Sequence, residues 1–147
     1  MTLIAKKLIG SSVSVLLFFC ATILSTTPYN SQTTPIPSFT EVLVIGGGAS
    51  GTLAGLQAAR MGVSTLIIEE TPWLGGMFTA AGVSAIDGNY RLASGLWEEF
   101  RQQLISHYGG ADKLKTGWVS NVLFEPQVGA QILSKMTANE KMLTVVH

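Results

Sequence analysis

Residues 41–76 decide the fold: Glu41-Val-Leu-Val-Ile45, then Gly46-Gly47-Gly48-Ala49-Ser50-Gly51, then TLAGLQAARMG (52–62), VSTLIIEE (63–70) and TPWLGG (71–76). The opening run is continuously apolar, which suits a strand buried on both faces of a parallel sheet. It passes directly into glycines that fit G-x-G-x-x-G at Gly46, Gly48 and Gly51. A helix is predicted from Thr52 to Met61, with apolar Leu53, Leu56 and Ala59 and small Ala54, Gly55 and Ala58. Gly62 marks its end, because a positive φ at that position costs glycine nothing. Val63 to Ile68 then predicts a second, parallel strand, closed by Glu69-Glu70.

This strand–glycine loop–helix–strand order implies an α/β fold of the Rossmann type, a parallel sheet with flanking helices. Each glycine has its own task. Gly46 permits the tight turn, Gly48 lets a pyrophosphate approach the backbone, and Gly51 lets the helix pack closely on the sheet. The unpaired amides and positive dipole end of the helix, at Ala49 and Ser50, suit an anion. Glu69 follows Gly46 by 23 residues and ends the second strand, where a carboxylate accepts hydrogen bonds from ribose hydroxyls. An acid there disfavours a 2′-phosphate and so disfavours NADP. These features point to a bound dinucleotide, and at this level both NAD and FAD satisfy them.

Gly75-Gly76-Met77 begins six residues beyond Glu69. With Gly55 and Gly62 extending the first glycine series, the segment from Val42 to Gly88 resembles the start of the FAD-dependent oxidoreductases. The resemblance covers residues 41–147, with its specific motifs between 42 and 77. It implies non-covalent FAD as cofactor, held by Gly46, Gly48, Ala49, Ser50, Gly51, Glu69, Glu70, Gly75, Gly76 and Met77. The glycine pair would let backbone approach the pyrophosphate and ribityl part, and the activity would be hydride or two-electron transfer between a small-molecule substrate and the flavin. Were the cofactor NAD, Gly75-Gly76 would be only a turn; a nucleotide-binding module without turnover is the non-enzymatic alternative. Disulfide reductases carry CxxxxC after the glycine pair, whereas Met77 and Phe78 stand here, and no cysteine follows. Attachment of flavin through cysteine is excluded on the same ground, and His107 and His147 read more simply as ordinary surface or core histidines.

The 147 residues carry nine basic and nine acidic side chains and one cysteine, Cys20. A balanced, weakly charged chain argues against nucleic acid as a partner, and one cysteine excludes a disulfide scaffold or a four-cysteine metal site. Mean hydropathy is high, +0.39, but unevenly spread. Lys6-Lys7 precede an uncharged run from Leu8 to Leu24, whose core is Val13–Leu24. That pattern reads as a secretory signal peptide over residues 1–24, with a membrane anchor, which wants about 20 apolar residues, as the alternative. Phe18-Phe19 supply no small residue ahead of Cys20 for lipoprotein processing, and no Arg-Arg pair precedes the run. Residues 25–38, rich in Ser, Thr and Pro, read as an exposed linker. The chain is thus expected to be exported, with membrane contact only through the leader if uncleaved. Residues 39–147 keep seven basic and nine acidic residues and no thiol.

Met77 to Leu92 reads as loop with short extended pieces, with a turn at Asp87-Gly88-Asn89; by resemblance it would run beneath the flavin. Arg91 reads as solvated, with a substrate anion or phosphate as its functional alternative. Leu96, Phe100, Leu104 and Tyr108 share one face of a helix over 96–108, ended by Gly109-Gly110. Glu98-Glu99 read as a solvated face, since adjacent helical residues do not face each other. Thr116 to Phe124 reads as loop and short extended chain, Pro126 opens a helix at its first position, and Met142–Val146 predicts a third strand. By resemblance that strand would lie beside the first. The Trp, Tyr and Met residues of these stretches are read as core. No residue in this chain qualifies as a catalytic acid or base, no metal site is expected, and the dinucleotide fold is expected to need further strands and a substrate domain.

Overall fold

The computed structural model describes residues 35–147. The leader over 1–24, the Cys20 reading and residues 25–34 of the linker lie outside the described residues. Among the described residues, no helix is long and apolar enough to cross a membrane.

The elements are β1 (Val42–Ile45), α1 (Ala49–Arg60), β2 (Thr65–Ile68), α2 (Gly95–Tyr108), α3 (Pro126–Ala138) and β3 (Leu143–Val146), with 3-10 turns at Gly76–Phe78 and Ala111–Leu114. The three strands are parallel, in the order β1-β2-β3. Leu43 pairs with Leu66, and Leu66 with Thr144. The structure bears out the α/β class. The first helix begins three residues earlier than its apolar spacing predicts, because the glycine loop itself turns into the helix at Ala49. Gly62 follows the helix with φ +87°, and Gly109 ends α2 in the left-handed region. Pro126 opens α3 at its first turn, where a missing N–H costs nothing.

Two expectations are corrected. β3 pairs with β2, not with β1. The order continues outward from β2 and leaves the far edge of β1 without a strand among the described residues, as in the 3-2-1 half of a doubly wound sheet. β1 is also not buried on both faces. Val44 faces α1, where a Cβ on Gly51 would lie 3.2 Å from Val44 Cγ1. Leu43 and Ile45 point the other way and are 53% and 73% exposed. Alternate residues of a strand face opposite sides, and the described residues place α1 over one side only.

The core joins Leu56 and Ile67 with Leu74, Phe100, Leu104, Phe124 and Leu133. Phe100 lies edge-on to Phe124, with ring centroids 5.6 Å apart. Phe100 and Leu104 realise the predicted face of α2, with Leu96 and Tyr108 half-buried at its ends. Met136 is core and Trp97 packs against it. Trp118, read as core from residue type, is instead 97% exposed. It stands on an irregular loop, where no helical or strand period turns a side chain inward.

Candidate functional site

The glycine loop is built around Gly47, a residue the G-x-G-x-x-G pattern leaves unspecified. The Gly47 N–H donates to Glu69 Oε2 at 2.6 Å. Its carbonyl accepts the Thr52 hydroxyl at 2.6 Å and the Gly75 N–H at 2.7 Å. Thus the residue that follows β2, the first turn of α1 and the second glycine pair all bind the backbone of one residue. Gly48 and Gly75 form an isolated parallel bridge, and a Cβ on Gly76 would stand 3.0 Å from Gly48 Cα. Two glycine motifs far apart in sequence are therefore in backbone contact.

The close approach of α1 to the sheet has its cause in Gly51, where a Cβ would overlap the carbonyl oxygen of Gly46. Gly55 does the same farther along, against Ile67 Cδ1. Gly48 differs: no atom lies within 4 Å of the position its Cβ would take. Gly48 caps α1 without a side-chain hydrogen bond, and no acidic residue occupies the first turn. The first N–H groups of an α-helix have no intrahelical acceptor, so Ala49, Ser50 and Gly51 present donors beside open space. That combination fits an anionic pyrophosphate.

Glu69 is buried, 5% exposed. Its Oε1 accepts both the Thr71 N–H at 2.9 Å and the Thr71 hydroxyl at 2.6 Å. Burial opposes its ionisation, but the Thr71 hydroxyl, Thr71 amide and Gly47 amide outweigh burial and hold the carboxyl below its ordinary range. Glu69 thus organises the loop, while Oε2, with its single donor, keeps an acceptor position. Glu70 is exposed. Met77 is exposed too, on the short turn after Gly76. Thr79 backs that turn: its buried hydroxyl donates to the Leu74 carbonyl at 2.7 Å.

Of the ten residues sequence reasoning named, the structure brings Gly46, Gly48, Ala49, Ser50, Gly51, Glu69, Gly75 and Gly76 into one cluster, with Glu70 and Met77 exposed beside it. Sequence reasoning missed Gly47, Thr52, Thr71 and Thr79. Thr52 alone carried a local signal, a β-branched hydroxyl residue after the small Ala49, Ser50 and Gly51. Glu98 and Glu99 are not simply solvated. Glu98 is held by Arg101 at 2.9 Å and Glu99 by Arg60 at 2.6 Å. His147 Nδ1 lies 2.6 Å from the Thr71 carbonyl oxygen. A groove of about 760 Å³ runs beside α3 and β3, between Trp73, Gln131 and His147. None of the predicted cofactor residues lines it, so the glycine cluster, not the groove, is the candidate site. No group of three or more His, Cys, Asp or Glu among the described residues is placed to hold a metal.

Comparison with known proteins gives the family of the chain. Residues 41–147 match the family model described as FAD dependent oxidoreductase. The chain is 43% identical over 42 residues to a 3-oxosteroid 1-dehydrogenase of Mycolicibacterium smegmatis, covering 29% of this chain and 7% of that protein. It is 27% identical over 103 residues to a probable fumarate reductase, Ifc3, of Shewanella frigidimarina, covering 68% of this chain and 18% of that protein. The chain therefore spans less than a fifth of the length of either relative. Among solved structures, THI4 of Thermovibrio ammonificans matches with TM-score 0.42 and 17% identity, over 93% of this chain and 45% of that one. With its family model matched from the first strand to residue 147, the chain belongs to the FAD dependent oxidoreductases, and its cofactor is FAD.

Proposed function

We propose that residues 41–147 form the ADP-binding part of a FAD-dependent oxidoreductase acting on a small organic molecule. The carrying observation is the contact of Gly48 with Gly75-Gly76 beside the unpartnered first turn of α1. In this reading the amides of Gly48, Ala49, Ser50 and Gly51 bind the pyrophosphate, Glu69 Oε2 and Glu70 accept from ribose, and the backbone of Gly75 to Met77 follows the cofactor toward the ribityl chain. FAD supplies the two-electron chemistry when bound; this chain supplies binding and orientation. The two relatives are named for a dehydrogenation and a reduction, which supports redox of an organic substrate. The basic-then-apolar leader supports export, with membrane contact only through that leader.

The test is titration of the purified full chain with FAD, NAD and ADP, read by quenching of flavin fluorescence and by calorimetry. Saturable FAD binding that ADP displaces, with NAD weaker, is the expected result. NAD binding more tightly than FAD, or FAD binding that ADP leaves untouched, would overturn the reading.

A further inference from the structure

Thr71, two residues beyond Glu69, has each of its polar groups engaged. Its N–H and its hydroxyl both donate to Glu69 Oε1, at 2.9 and 2.6 Å. Its carbonyl oxygen lies 2.6 Å from His147 Nδ1. A carbonyl only accepts, so that ring nitrogen carries the hydrogen. The Thr71 hydroxyl has one hydrogen and a second acceptor within reach, the Trp73 carbonyl at 2.8 Å. The ionised carboxylate is both the nearer and the stronger acceptor. The end of β3 braces the same turn from the other side, where the Glu69 N–H donates to the Val146 carbonyl at 2.9 Å.

An ionised carboxylate offers about four acceptor positions, two on each oxygen. Thr71 fills both on Glu69 Oε1, and the Gly47 N–H fills one on Oε2. One position is left, on Oε2. Turning the carboxyl away would break three hydrogen bonds to a buried, ionised group, two of them from Thr71. A carboxylate free to turn can bridge two neighbouring hydroxyls of a ribose. Held as it is, Glu69 has room to accept from one.

We propose that Thr71 is a positioning residue for the adenosine end of the cofactor: by occupying Oε1 it leaves Glu69 one acceptor, on Oε2, for a single ribose hydroxyl. The proposal rests on the reading of Glu69 as the ribose acceptor. Its test is calorimetric titration of the full parent chain, Thr71→Val and Thr71→Ser with ADP, 2′-deoxy-ADP and 3′-deoxy-ADP. Thr71→Val keeps the shape and the N–H but lacks the hydroxyl. It is expected to weaken ADP binding about three- to tenfold, and Thr71→Ser to restore it. The loss should disappear with one deoxy analogue and persist with the other, because a ligand lacking the hydroxyl that Oε2 accepts is indifferent to how Oε2 is aimed. In the ligand-free chain, carboxyl NMR should show Glu69 titrating higher in Thr71→Val and returning in Thr71→Ser, with circular dichroism unchanged. Thr71→Ala is read in the same way should Thr71→Val fail to fold. Unchanged ADP affinity, an unmoved Glu69 titration, a loss that serine does not restore, or a loss that persists or vanishes with both analogues would overturn the proposal and leave the cofactor reading standing. A parent chain that binds no ADP would overturn both.

Discussion

Glu69 and Gly47, 22 residues apart, are joined by a buried hydrogen bond in which the Gly47 N–H donates to Glu69 Oε2 at 2.6 Å. The end of β2 thereby fixes the loop that follows β1. The loop's shape is set before any ligand arrives, so ordering cost is already met within the fold.

Replacing Glu69 with Gln removes one acceptor from a site surrounded by donors. If the amide oxygen faces Gly47, the amide nitrogen confronts the Thr71 N–H, and the reverse orientation abandons Gly47. An unsatisfied buried group costs about 1–3 kcal/mol. We expect Glu69→Gln to lower unfolding stability by about 2 kcal/mol in urea titrations and to weaken FAD binding as well. Unchanged stability would show that the loop does not depend on this carboxylate.

The same carboxylate sets an acid limit. Its folded pKa is held below the ordinary 4.5 by Thr71 and Gly47 against the opposing effect of burial. A depressed pKa contributes stability that is present above about 4.5 and is lost as pH falls through the folded value. Unfolding free energy measured from pH 6 to pH 3 should therefore fall on the acid side, and Glu69→Gln should make that fall shallower. Parallel curves for the two proteins would contradict the assignment.

Gly48 and Gly51 separate binding from folding. A Cβ at Gly51 meets the Gly46 carbonyl and Val44, whereas a Cβ at Gly48 enters open space. We expect Gly51→Ala to destabilise by about 3 kcal/mol through overpacking. Gly48→Ala should leave stability within about 1 kcal/mol, as Ala is a poorer helix cap than Gly, yet reduce FAD affinity at least tenfold by filling the pyrophosphate's approach. Thermal melts and flavin titrations of both variants read the contrast, and equal loss of affinity and stability in the two would refute it.

The sequence made this division partly legible. G-x-G-x-x-G assigns distinct tasks to Gly46, Gly48 and Gly51 because a strand before and a helix after leave little choice of backbone path. The roles of Gly47 and Thr71 depend on what Glu69 and Gly75 do elsewhere in the chain, and no local spacing encodes that. The third strand was legible as a strand, since Leu-Thr-Val-Val suits the pleat, but its neighbour is a topological fact. Leu43 and Ile45 looked buried because an apolar run reports a preference for cover, not the element that provides it. Trp118 failed for the converse reason: its type favours burial, and its loop does not turn it inward.

Gly75 tests whether the second glycine pair is structural as well as cofactor-facing. It has φ +109°, and a Cβ there would meet Leu133 Cδ1 and Thr79 Cγ2, both at 2.7 Å. Left-handed backbone strain and overpacking then act together. Gly75→Ala is expected to cost about 3 kcal/mol or more and to release Thr79 from the Leu74 carbonyl, visible as faster amide exchange over residues 74–79. A variant as stable as the parent would mean that the turn has room the structure does not show.

Arg60 at the end of α1 holds Glu99 of α2 through two hydrogen bonds, at 2.6 and 2.8 Å, and Glu140 ahead of β3 at 2.8 Å. This one guanidinium ties three segments on the outside of the core. The Arg60 hydrogen bonds keep the Glu99 pKa low, against partial burial. The pair's contribution is thus present above about 4.5 and lost as pH falls through the depressed Glu99 value. Because both side chains are partly solvated, a double-mutant cycle with Arg60→Met and Glu99→Gln should give a coupling of only about 0.5–1 kcal/mol at neutral pH. It should shrink in 1 M salt and shrink again as pH falls below about 4.5. A coupling that survives both conditions would mean that packing of the Arg60 stem, not charge, joins α1 to α2.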